Sequence, residues 1–249
     1  MSSTRCGEYA AGVDGMGNAS AAGQQLLSMV PALLEEFGAE AMITPNQDLL
    51  LTNIAPEAKE DFATRVDEYA ARPTSTLRRL SGACVGLPTC RLSYTDSEQF
   101  EPELMTELER AGYGEVAESV GVTGCERQCF RPGTKSIGWV GQGPGMYMLK
   151  IGGDAGGRHQ GVPLVEDGKL YLRQVPRDLV ATVTGALFDH WQHHRQPGED
   201  LGAFVRRVGH LAILNHLRQH PDTADVCVKS APAAYSPHLV ELNVLPSSA

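Results

Sequence analysis

The chain has 249 residues, is 42% hydrophobic and 20% charged, and carries a formal net charge of −9. That length is enough to bury a core in one large domain or two small ones. The acidic balance argues against a general nucleic-acid binder, and no apolar run reaches membrane-spanning length. Met1-Ser2-Ser3-Thr4-Arg5-Cys6 lacks the apolar stretch of a signal peptide, which leads us to expect a cytoplasmic protein. The six cysteines then read as reduced thiols or metal ligands rather than a disulfide framework.

In chain order, residues 1–20 are rich in Gly, Ala and Ser. From Gln24 the apolar residues Leu26, Leu27, Val30, Leu33, Leu34 and Phe37 recur at helical steps, and Gly38 suits the stop. Pro31 inside this run predicts a kink or a late start. Ala41–Thr44 and Leu49–Thr52 read as strands about a turn at Pro45–Asp48. A helix follows from Pro56, with Phe62, Val66 and Tyr69 on its inner face. This α+β unit ends near Arg72, and Pro73–Thr76 links it to the rest. Further on we expect a helix over Glu98–Arg110 with Phe100, Leu104 and Leu108 inward, and a strand at Val120–Val122. A hairpin of Ser136–Val140 with Met146–Ile151 and a strand at Lys169–Leu172 come next. Helices are predicted over Pro176–Gln192 and Asp200–Arg218, and the tail from Pro221 shows no periodicity.

Four cysteines come as two spaced pairs, Cys84-x5-Cys90 and Cys125-x3-Cys129. Two thiol pairs on separate loops suit an iron–sulfur cluster. A four-Cys zinc site is the main alternative, although zinc pairs usually sit two to four residues apart. Unligated cysteines are a third reading, and Cys6 and Cys227 look like incidental thiols. His190, His193 and His194, then His210, His216 and His220, read as surface histidines rather than ligands. Gly141–Gly145 lacks the lysine and serine of a phosphate loop, and no serine–histidine nucleophile signature is visible.

Several stretches together resemble the siroheme-containing sulfite and nitrite reductases, in the C-terminal half of the sulfite reductase hemoprotein. Thr44-Pro45-Asn46-Gln47-Asp48-Leu49 is similar to the family's T-x-N-Q-N-L. Ala83-Cys84-Val85-Gly86-Leu87-Pro88-Thr89-Cys90 is similar to A-C-V-x-x-P-T-C, and Thr123-Gly124-Cys125 with Cys129 to T-G-C-x-x-x-C. Gly138-Trp139-Val140-Gly141-Gln142-Gly143-Pro144-Gly145-Met146-Tyr147 resembles G-L-V-G-x-x-P-G-x-Y, with Trp139 for Leu. Gly152-Gly153 and Gly202-Ala203-Phe204-Val205-Arg206 complete the likeness, which covers roughly residues 24–215.

The resemblance implies an α+β fold: a ferredoxin-like half-domain at 1–80, a siroheme and iron–sulfur domain at 81–220, and a C-terminal extension at 221–249. It implies a 4Fe–4S cluster on Cys84, Cys90, Cys125 and Cys129, with Cys129 shared with the siroheme iron. Arg131, Arg158, Asn46, Gln47 and Gly143 are the implied siroheme contacts, and Arg127 and Lys135 join Cys129 as candidate catalytic residues. The glycines at 141, 143, 145, 152 and 153 would let backbone approach cluster or macrocycle. The implied reaction is six-electron reduction of sulfite to sulfide, with nitrite reduction to ammonia, or cofactor binding without turnover, as alternatives. The implied partners are a ferredoxin or flavoprotein donor and a second half-chain or homodimer; no nucleic acid and no membrane are expected. The sequence departs from the family in three places. Glu126-Arg127-Gln128 stands where C-P-N-G-C is usual, Met42 stands where Arg is usual, and no acidic residue lies next to Ser136.

Overall fold

A computed structural model describes residues 2–5, 21–43, 49–69 and 75–229, and the chain divides into two units, Met1–Arg79 and Leu80–Ala249.

In the first unit a three-stranded antiparallel sheet runs in the order β1 (Ser2–Arg5), β3 (Leu49–Ile54), β2 (Glu40–Ile43). Helix α1 (Ala21–Phe37) continues through Pro31, so a late start is overturned. A turn of 3-10 helix at Pro56–Ala58 carries Pro56 at its first positions and leads into α2 (Lys59–Tyr69). Met29 and Leu33 of α1, Leu51 and Ile54 of β3, and Phe62 and Val66 of α2 form one buried cluster. Phe37 meets the Phe62 ring edge-on at 5.2 Å. The turn expected at Pro45–Asp48, and with it Asn46 and Gln47, lies outside the described residues, as does Cys6.

Helix α3 (Thr76–Leu80) spans the division point. The second unit is built on a mixed sheet ordered β4 (Gly82–Ala83), β5 (Val120–Thr123), β6 (Ile137–Gly143), β7 (Met146–Ile151), β8 (Val162–Glu166), β9 (Lys169–Tyr171). β4, β5 and β6 are parallel, and the rest pair antiparallel. The far edge of β7 is shared: β8 pairs its end at Lys150 and Ile151, while β10 (Val175–Pro176) pairs its start at Met146 and Tyr147. β5 is buried along its whole length, as a parallel strand covered on both faces should be. Helix α4 (Ser97–Arg110) packs on β4, β5 and α5 (Val180–His194), burying Phe100, Leu104 and Leu108 as their spacing predicts.

Three expectations are corrected here. The single helix predicted over Asp200–Arg218 is two, α6 (Leu201–Val208) and α7 (His210–Gln219), broken at Gly209 where φ is 85°. The tail begins with a further helix, α8 (Ala224–Lys229), which packs on α7. Cys227 is therefore no loose thiol: it is 1% exposed, and burial pushes its pKa up to about 11.

Trp139 shows how the sheet absorbs a departure from the family pattern. The indole is fully buried, and its N–H donates to Thr184 Oγ1 of α5 at 3.1 Å. Thr184 donates in turn to the Val180 carbonyl at 2.8 Å. The larger ring thus buries no unpaired donor. The acidic group missing beside Ser136 in sequence is supplied in space: Glu118 accepts from the Ser136 hydroxyl and from the Leu201 N–H. Burial raises the Glu118 pKa, and those two hydrogen bonds partly oppose it.

Candidate metal centre

The two thiol-bearing loops leave neighbouring parallel strands at the same end. Cys84 follows β4 directly, and Gly124-Cys125 follows β5. The register Gly82↔Gly121, Ala83↔Val122 therefore sets Cys84 beside the start of the second loop, and the Cys84 N–H donates to the Val122 carbonyl at 3.1 Å. The carboxyl ends of parallel strands are where α/β sheets hold ligands, because the chain must loop out there.

The first loop is fixed by its own backbone. Gly86 has φ 58°, and a Cβ on it would come within 2.5 Å of the Ser97 N. Leu87 N–H donates to Thr95 O at 2.9 Å and Cys90 N–H to Gly86 O at 2.7 Å. The Leu87–Pro88 peptide is cis. Tyr94 N–H then donates to Gly124 O at 2.8 Å, which fastens the first loop to the second. Close approach decides two glycines: a Cβ at Gly124 would collide with Ser93 Oγ, and one at Gly141 with the Gly124 carbonyl.

Cys84 Sγ takes the Gly124 N–H at 3.2 Å and lies 3.2 Å from Ser97 Oγ, whose hydroxyl also reaches the Cys84 carbonyl at 2.9 Å. An N–H aimed at sulfur is the usual support of a metal-bound thiolate. Cys84 and Cys90 are half-buried, Cys125 is buried and Cys129 is exposed. Below them Tyr147 stacks on Phe100 at 4.8 Å, and burial pushes its phenol up to about 12. Among the described residues no three Cys, His, Asp or Glu side chains gather as they would about a single ion. The arrangement is one thiol pair per loop, on two loops that leave neighbouring parallel strand ends.

The remaining expected residues are placed unevenly. Arg127 and Arg131 are exposed on the segment that carries Cys129, Arg131 with φ 50°. Lys135 is 5% exposed, with Nζ 4.8 Å from the centre of the Phe130 ring. Arg158 is exposed at a loop and pairs with Asp154 at 3.4 Å. Gly143 ends β6, and a Cβ there would meet nothing within 4 Å, so no close approach within the chain explains it. A Cβ at Gly153, by contrast, would strike the Gly133 and Lys135 carbonyls. The histidines are not simply surface residues. His190 and His216 stack at 3.8 Å between α5 and α7, and His194 and His220 extend the column.

Comparison with known proteins now bears on this geometry. No family model matches the sequence. The protein named sulfite reductase [NADPH] hemoprotein beta-component of Methylobacterium radiotolerans is 38% identical over 195 residues, 76% of this chain and 30% of that protein. Its namesake in Myxococcus xanthus is 35% identical over 68% of this chain, and that of Afipia carboxidovorans 32% identical over 80%. The chain belongs to the sulfite and nitrite reductase family.

It spans about a third of the length of these relatives, 30–34%. Among solved structures, the NirA protein of Mycobacterium tuberculosis superposes with a TM-score of 0.60 at 25% identity, over 77% of this chain and 37% of that one. Dissimilatory sulfite reductase I (DsrI) gives 0.62 at 12% identity over 89% of this chain and 70% of that one, a likeness of fold alone. No helix among the described residues is long and apolar enough to cross a membrane.

The family's closing helix motif has a packing reason here. A Cβ on Gly202 would strike the Gly153 carbonyl, Phe204 is buried, and Arg206 Nη1 donates to Gly152 O at 2.7 Å. Sequence reasoning missed Lys150, whose Nζ donates to Gln128 Oε1 at 2.9 Å inside the second thiol loop. Its signal was a lone charge in the otherwise apolar strand Met146–Ile151. It also missed Ser97 and the Gly124 N–H, for which the sequence holds no signal, since both act through pairing distant in the chain.

Proposed function

We propose that this chain is the cluster-bearing part of a siroheme- and 4Fe–4S-dependent reductase that converts sulfite to sulfide. The reading is carried by one observation: two thiol loops meet at adjacent parallel strand ends with a backbone N–H directed at Cys84 Sγ. When bound, the cluster and siroheme would deliver electrons in single steps and offer the iron that takes the sulfur of sulfite. Cys84, Cys90, Cys125 and Cys129 would hold the cluster, and the exposed Cys129 would be the ligand it has in common with the haem. The Gly124 N–H steadies the Cys84 sulfur, and the Ser97 hydroxyl holds the Cys84 carbonyl. Arg131, Arg158, Asn46, Gln47 and the Gly143 backbone are the groups that would meet the carboxylates of siroheme, where guanidinium and amide donors are the matching chemistry. Arg127 and Lys135 bring positive charge to the substrate anion.

The chain spans about a third of its relatives' length; the partner we propose is a second half-chain or a second copy that brings further cationic residues. The electron donor is a flavoprotein or ferredoxin, and the working compartment is the cytoplasm. Nitrite is the second substrate class, as membership of the sulfite and nitrite reductase family suggests. The test is anaerobic purification, followed by iron and acid-labile sulfide analysis, visible spectroscopy, mass determination, and turnover of each anion with a reduced dye. Sulfide from sulfite supports the proposal. Ammonia from nitrite without sulfide moves the assignment to nitrite reduction. Iron and labile sulfide without turnover make the chain a cofactor-binding module. Zinc in place of iron overturns the reading.

A further inference from the structure

Gln128 holds a backbone conformation that side chains disfavour, with φ 55°. The family pattern C-P-N-G-C has glycine there, which adopts that conformation freely. A glutamine stays in it only where its surroundings hold it. Here its N–H donates to Cys125 O at 3.2 Å and its carbonyl accepts from the Arg131 N–H at 2.7 Å, closing the turn. Its side chain adds two ties. Nε2 donates to Glu126 O at 3.4 Å within the turn, and Oε1 accepts from Lys150 Nζ at 2.9 Å outside it. Lys150 lies on β7 opposite Gly138, at the centre of the sheet, and is half-buried. A half-buried ammonium needs an acceptor, and a charge-assisted hydrogen bond is among the stronger single ties.

We infer that Lys150 and Gln128 are a positioning pair that locks the Cys125–Cys129 turn to strand β7. The second thiol pair is thereby set in place by the fold instead of being gathered by the metal. The inference rests on the reading of these thiols as cluster ligands, and it gives the glycine-to-glutamine exchange a purpose. The pair replaces a turn that is free to adopt its shape with one that is tethered into it.

The test uses the full chain, purified anaerobically, and follows hydrogen exchange at the Gln128 and Arg131 amides with the amides of α6 as reference. Lys150→Met speeds exchange at the turn about tenfold while α6 is unchanged, as expected for loss of one charge-assisted tie. Gln128→Met, which removes the acceptor and keeps the backbone conformation at the same cost, speeds it as well and decides the matter if Lys150→Met does not fold. Lys150→Arg keeps a donor and recovers most of the protection. The inference is overturned if neither Lys150→Met nor Gln128→Met speeds the turn, if α6 speeds equally, or if Lys150→Arg recovers nothing. Iron and labile sulfide are measured on the wild-type sample. Their absence removes the cluster reading and leaves the exchange result on the pair standing by itself.

Discussion

Stacked histidines give this protein an acid-sensitive point away from its thiols. His190 is held down to about 4 by burial first, then by His216, His194 and His193; His216 is lowered too, by burial first, with His220 and His194 adding to it. Asp189 and the Ala186 carbonyl act the other way on His216. Both rings are neutral in the folded chain, while in the unfolded chain they titrate near the ordinary value of about 6.5. The unfolded state therefore binds more protons as pH falls below that value. Stability is complete above pH 6.5 and is lost on acidification toward pH 4. Discounted for half-exposed rings, the loss is about 1–2 kcal/mol. Denaturant midpoints at pH 7 and pH 4.5 will show it, and His190→Gln will flatten the difference. Glu118 contributes with the opposite sign, because burial raises its pKa. Its share is present at low pH and lost as pH rises through the folded value. A second residue-scale test is Thr184→Val, which leaves the buried Trp139 N–H without its acceptor. A loss of about 1–3 kcal/mol is expected in urea unfolding.

Elements meet in the second unit wherever a side chain is missing. Gly141 of β6 faces the Gly124 carbonyl, and Gly153, just after β7, faces the Gly133 and Lys135 carbonyls and admits Gly202 of α6 on its own. Gly141→Ala drives a methyl into backbone that cannot swing away, so we expect about 2 kcal/mol of destabilisation and reduced iron content. Gly143→Ala is the informative partner. Open space surrounds that position, so stability stays within about 0.5 kcal/mol. If the chain binds siroheme as proposed, loss of haem absorbance in that variant at unchanged stability reports crowding of the macrocycle.

At the scale of the whole chain, the two units make different demands. The first is closed by an apolar cluster of α1, β3 and α2 and carries none of the four paired cysteines. The second carries all four, on loops joined by backbone hydrogen bonds. A group bound only by the folded form stabilises that form, so if the four cysteines hold a cluster as proposed, removing iron with a chelator lowers the melting temperature of the second unit. Calorimetry before and after chelation checks this, and an unchanged transition would contradict it.

Helical spacing in the sequence by itself determined α4 and α5 and the inner faces of α1 and α2. Turn residues determined the β6–β7 hairpin, and the motifs running from Thr44 to Arg206 carried the likeness to the family, whereas cysteine spacing alone left zinc and unligated thiols open. These signals are local, written within a few residues of the element they describe. Only the tertiary structure decided that β4 and β5 lie side by side and parallel, which brings Cys84 to Gly124 across 40 positions of chain. It alone showed Glu118 reaching Ser136, Lys150 reaching Gln128, and histidines of two helices forming one column. Gly209, inside the helix predicted over Asp200–Arg218, takes φ 85° and breaks it in two. Contacts between residues far apart in the chain leave no period in the sequence, and they are what turns four cysteines into a candidate metal centre.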